Sequence, residues 1–200
     1  TDFNSATMTD IFNGTALATT CPAGTTQYIT GFESAWNGKV ACDSICSDDE
    51  MFIDGECVAP EFTIETTNMS AGSTFSFDMS ASGTFYVDCG DGGTLSGTGV
   101  SGNTITRNNT TNAQYTCTYP TAGTHKILFA GDATGYTTAN NDPAISFYDN
   151  KNIKTVDGSL GAIFSGSANY MFYSTFNGCT SLTSIPENLF AGVSGSAESM

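Results

Sequence analysis

The chain has 200 residues, 22 of them glycine and only 12% charged, with 20 Asp and Glu against 5 Lys and Arg for a net charge of −15. So acidic a surface repels phosphate backbones and anionic bilayers, which argues against any nucleic-acid partner. No apolar run approaches the roughly 20 residues of a transmembrane helix, so no membrane insertion is expected within the chain.

The 14 Phe and 8 Tyr supply enough large apolar surface for a core. No window combines sustained helical periodicity with good helix formers, and the expected class is mainly β. Seven cysteines fall at 21, 42, 46, 57, 89, 117 and 179, and His125 is the single histidine. Disulfides explain them better than zinc does, because the spacing lacks paired Cys-x2-Cys knuckles. Disulfides in turn imply an oxidising, extracellular setting.

In chain order, residues 1–20 form a polar N-terminal arm with scattered apolar positions such as Met8, Ile11 and Phe12. Residues 21–59 form a cysteine-rich module. Cys21, Cys42, Cys46 and Cys57 make two bridges there, with three pairings open. Trp36-Asn-Gly-Lys and Ile53-Asp-Gly-Glu carry the strongest short-range hairpin signal. A module of this size cannot build a sufficient core alone, so the bridges are its staples. Its acidic cluster includes Asp48, Asp49 and Glu50, which are calcium candidates by density. Their spacing fits no standard calcium loop, and a solvated acidic face is the preferred reading. Pro60 marks the next boundary.

From 60 to 140 the pattern is that of strands. Phe62, Ile64 and Thr66 alternate with polar neighbours, as do Phe75, Phe77 and Met79, so each run has one buried face. Gly83–Cys89 is a third strand, and Gly90–Gly102 reads as a loose Gly/Ser/Thr stretch. Strands near Thr104–Arg107, Gln114–Tyr119 and Thr124–Ala130 complete an all-β sandwich.

Val87-Asp-Cys-Gly-Asp-Gly-Gly93, followed by Tyr115-Thr-Cys-Thr-Tyr-Pro-Thr-Ala-Gly-Thr-His-Lys-Ile127, resembles the polycystic-kidney-disease (PKD) β-sandwich. That family has an aromatic-x-Gly-Asp-Gly turn answered by a Tyr-x-x-x-Gly-Thr return strand. Cys89 stands where it usually holds an aromatic residue, and the resemblance implies a Cys89–Cys117 bridge in its place. It also implies that His125 faces outward. Asp88 and Asp91 are read as turn-formers first and calcium candidates second.

The last segment, 141–200, repeats. Leu160–Met171 realigns on Leu189–Met200, and Ile153–Val156 realigns on Leu182–Ile185 at the same shift. A period in the twenties with Leu-x-x-Ile strands signals a leucine-rich-repeat solenoid, here incomplete. Met171, Phe172, Cys179, Leu182 and Ile185 match the BspA-like class of these repeats, a bacterial surface family in which such sandwiches recur. Cys179 is then the free cysteine, buried as a small apolar residue.

No nucleophile elbow, P-loop or dinucleotide fingerprint is present, so no enzyme is expected and no cofactor beyond possible calcium. The expected role is structural and adhesive at the bacterial cell surface, through a protein ligand bound by the repeats. The alternatives are self-assembly with copies of the same chain and carbohydrate binding.

Overall fold

The computed structural model describes residues 46–137, 142–166 and 171–193, together with the backbone of 25–27 and 42–44. The N-terminal arm, the Trp36-Asn-Gly turn and Cys21 lie outside the described residues, as does the side chain of Cys42. The chain divides into two compact units, Thr1–Ala59 and Pro60–Met200.

In the first unit, β1 (Thr25–Gln27) pairs antiparallel with β2 (Cys42–Ser44). β3 (Met51–Ile53) and β4 (Glu56–Val58) form a tight hairpin with Ile53 opposite Glu56. The two loop residues, Asp54 (φ 52°) and Gly55 (φ 96°), are both left-handed, the geometry an Asp-Gly hairpin turn requires. Cys46 and Cys57 are bonded, with Cα atoms 5.4 Å apart, and tie the hairpin to the segment before it.

The second unit is an antiparallel two-sheet sandwich. Its strands are β5 (Phe62–Thr66), β6 (Thr74–Met79), β7 (Ala81–Asp88), β8 (Thr94–Ser96), β9 (Val100–Ser101), β10 (Thr104–Arg107), β11 (Ala113–Thr118), β12 (Lys126–Tyr136), β13 (Ile145–Ser146) and β14 (Ile153–Gly158). One sheet runs β14-β5-β12-β7-β10-β9 and the other β13-β6-β11-β8. A short helix, α1 (Leu160–Ile163), follows.

The two-residue period of the sequence becomes the core directly. Phe62, Ile64 and Thr66 are buried on β5, Phe75, Phe77 and Met79 on β6, and Tyr115 and Cys117 on β11. The sheets meet through aromatic rings, with Phe77 edge-on to Phe129 at 5.4 Å. At one end of the sandwich Arg107 is buried, with no acidic partner among the described residues. Its Nε donates to the Ala81 carbonyl (2.7 Å), Nη1 to the Tyr115 hydroxyl (2.7 Å), and Nη2 to the Thr111 carbonyl. The guanidinium fork thereby replaces its lost hydration with fixed acceptors and links the two sheets.

Three expectations change. The stretch 90–102 is not all loose, since it holds β8 and β9, with Leu95 buried opposite Cys117. Strands this short, set among Gly, Ser and Thr, leave little periodic signal. His125 does not face outward but is 2% exposed. It shares the inward parity of Ile127 and Phe129, and its backbone is fixed by Thr66, whose N–H donates to the His125 carbonyl (2.9 Å) and whose Oγ1 accepts the His125 N–H (2.9 Å). Finally, the core crosses the boundary expected near residue 140. β13 extends the four-stranded sheet through β6, β14 extends the six-stranded sheet through β5, and Phe147, Leu160 and Phe164 join the same hydrophobic cluster.

Candidate functional site

The turn after β7 is built by its own side chains. Asp88 Oδ1 accepts the Gly90 N–H at 2.9 Å, an Asx-turn, and the Gly93 N–H closes on the Gly90 carbonyl at 2.7 Å. Gly90, Asp91 and Gly92 are successively left-handed (φ 65°, 48° and 71°). A Cβ at Gly93 would lie 2.7 Å from the Tyr119 ring and 2.8 Å from Cys89 Cβ, so the chain passes there only as glycine. Beneath the turn, Cys89 and Cys117 are bonded, with Cα atoms 5.7 Å apart, linking the end of β7 in one sheet to β11 in the other.

Asp91 Oδ2 lies 3.1 Å from His125 Nδ1, and the imidazole stacks on Tyr119 at 3.7 Å with the rings 4° from parallel. The Tyr119 hydroxyl and His125 Nε2 are buried without a hydrogen-bond partner among the described residues. Burial first, then the nearby Asp91 and Asp88 carboxylates, push the Tyr119 phenol well above its ordinary value. The two aspartates thus shape and brace a turn over the disulfide. Sequence reasoning named Asp88, Asp91 and both cysteines but missed the His125–Tyr119 stack.

In the first unit, the Glu50 carboxylate accepts from the Ser47 N–H (3.2 Å) and Ser47 Oγ (2.9 Å), a local turn brace. Among the described residues, no three His, Cys, Asp or Glu side chains gather as a metal-holding group, whether at Asp48, Asp49 and Glu50 or at Asp88 and Asp91.

Tyr136, near the end of β12, donates its hydroxyl proton to the Ser165 carbonyl at 2.5 Å, and burial followed by Asp132 pushes its pKa up to about 12. A phenol whose folded pKa is raised holds its proton while the unfolded chain releases it. Its contribution is therefore present below pH 10 and lost as pH rises towards 12. Tyr119 acts in the same direction. Thermal unfolding from pH 8 to 12 should show a midpoint that begins to fall above about pH 9, where the unfolded chain releases the Cys179 thiol proton, and falls steeply above about pH 10.

The coil spanning 144–166 is bonded to the segment 171–193. The Phe147, Asp149 and Gly161 N–H groups donate to the carbonyls of Thr175 (2.8 Å), Asn177 (2.8 Å) and Leu189 (3.3 Å), so the same interval separates donor from acceptor in all three. Ala144 donates likewise to Met171, and Gly166 forms a parallel bridge with Val193. Side chains add to the ladder. Thr175 Oγ1 donates to the Ile145 carbonyl (3.1 Å) and the buried Cys179 thiol to that of Phe147 (3.1 Å). Cys179 is a free thiol, and burial raises its pKa, which keeps it protonated and unreactive. Met171 and Phe172 are buried, whereas Ile185 is 55% exposed and Leu182–Ile185 form no strand beside β14.

The coils approach so closely at Gly161 that an added Cβ would sit 2.1 Å from the Ala191 carbonyl oxygen. Gly161→Ala should therefore cost about 1 to 3 kcal/mol in a denaturant titration, through backbone separation alone.

Comparison with protein families, with curated proteins and with solved structures finds no match.

Proposed function

We propose that this chain is a structural and adhesive protein of the bacterial cell exterior. In this reading a PKD-like sandwich serves as the base of a BspA-like leucine-rich-repeat array, and the repeats offer the binding face. The observation that carries the reading is the constant interval between coil donors and coil acceptors, Phe147 to Thr175, Asp149 to Asn177 and Gly161 to Leu189. It falls one position short of the sequence repeat that sets Leu160 on Leu189, as expected when successive repeat units stack in parallel.

Three features add support. The sandwich is bound to the first coil through β13 and β14, so a pull on the repeats is borne by both sheets. Cys179, at the repeat position the family fills with cysteine, is buried between coils. The disulfides of both units suit an oxidising exterior. No helix among the described residues is long and apolar enough to cross a membrane.

The test is saturable binding of the purified chain to a panel of immobilised matrix proteins, competed by soluble chain. Binding that is lost with Gly161→Ala, while the sandwich remains folded, is the expected result. A chain that binds no panel member and forms filaments under the electron microscope would replace this reading with self-assembly.

A further inference from the structure

The strand alternation that sends Phe75, Phe77 and Met79 inward sends Ser76 and Asp78 to the outer face of the four-stranded sheet. Register places Asp78 opposite Gln114 on β11 and Ser146 on β13, and Ser76 opposite Thr116, with the hydroxyls 3.0 Å apart. The segment 148–152, leaving β13, lines the same space. Asn150 Nδ2 donates to the Ser76 carbonyl (3.0 Å), Asn150 Oδ1 accepts the Asn152 N–H (3.0 Å), and the Thr67 N–H donates to the Asn152 carbonyl (2.7 Å). Sheet face and segment enclose a groove of about 320 Å³, within the range of small-ligand sites.

Its lining combines an open aromatic ring with paired polar groups. Tyr148 is 65% exposed, one of two large hydrophobic side chains so placed among the described residues. Asp78 and Gln114 stand opposite each other on the floor, and burial raises the Asp78 pKa more than the neighbouring Gln114 amide lowers it. Lys151 is paired with Asp149 and also donates to the Gly178 carbonyl (3.2 Å).

We propose that this groove binds a neutral saccharide. A sugar presents an apolar C–H face, which a tyrosine ring accepts, and adjacent hydroxyls, which a carboxylate–amide pair accepts and donates to. The groove's cation is already paired and the chain carries −15, so sialylated and sulfated glycans are disfavoured. Because the Asn150 and Asn152 bonds fix the wall beforehand, little ordering is lost on binding. The groove lies on the sandwich and first coil alone, so the assignment goes beyond the repeat reading and does not depend on it.

The test is a glycan array of neutral, sialylated and sulfated sugars probed with the full chain, followed by titration of the best neutral binder. Tyr148→Ala should weaken that affinity about tenfold or more, Tyr148→Phe should retain most of it, and Gln114→Ala should also weaken it. All three should unfold at the wild-type temperature, because both side chains are exposed. The proposal is overturned if no neutral sugar binds, if sulfated or sialylated sugars bind best, or if Tyr148→Ala and Gln114→Ala bind like the wild type. Matrix-protein binding should survive Tyr148→Ala, so failure of the groove and failure of the adhesive reading give different results.

Discussion

The double variant Cys89→Ala/Cys117→Ala should lose about 3 to 4 kcal/mol of unfolding free energy. The bridge joins positions 28 apart in sequence, and chain-entropy bookkeeping for a loop of that length gives this value. The sulfurs also fill core space, since Cys89 and Cys117 are 1% and 0% exposed, and alanine leaves small voids on both sides. Because β7 and β11 lie in different sheets, the reduced chain loses a covalent tie across the core. The measurement is a pair of denaturant titrations with unfolding read by tyrosine fluorescence. A shift below about 1 kcal/mol would mean that the Asp88–Gly93 turn and the Tyr119–His125 stack hold this end of the sandwich without the bond.

Phe147→Ala should cost about 3 to 5 kcal/mol, the range for deleting a fully buried aromatic side chain. The Phe147 ring lies 6.1 Å from Phe62, 6.2 Å from Phe75, 6.1 Å from Phe77, 6.0 Å from Phe129 and 5.3 Å from Phe176. These partners belong to β5 and β12 of one sheet, β6 of the other, and the second coil. One substitution therefore opens a cavity where both sheets and the segment 171–193 converge. Phe147→Leu keeps much of the volume and should cost about 1 to 2 kcal/mol, and because both variants keep the backbone N–H of this residue, the difference between them reports side-chain packing. Equal, small costs for both variants would show that the Phe147 ring does not fill the core between the two sheets.

The parts of this fold legible in the sequence are those written by local rules. Alternation at Phe62–Thr66 and Phe75–Met79 placed two inner faces, and Asp54-Gly55 marked a two-residue hairpin. What was not legible depends on distant pairing. Nothing local to Ile153–Gly158 says that it joins β5, which lies far earlier in the chain at Phe62–Thr66, and so the first coil read as a separate repeat. His125 was misplaced because a family pattern was preferred over its own parity with Ile127 and Phe129. The polar groove draws on β6, β11, β13 and residues 148–152, and no stretch of sequence contains it. Ile185 matched the repeat pattern, yet β14 stays the outer strand of its sheet and Ile185 remains exposed.

The sandwich and the segment 144–166 should open as one cooperative body. Native-state hydrogen exchange tests it at the amides of Phe147, Asp149 and Gly161, which donate to the Thr175, Asn177 and Leu189 carbonyls of the following coil. These three should exchange with the same opening free energy as Ile64 on β5 and Phe129 on β12. Rapid exchange at all three, with Ile64 and Phe129 still protected, would mean that the segment 144–166 opens independently of the sandwich.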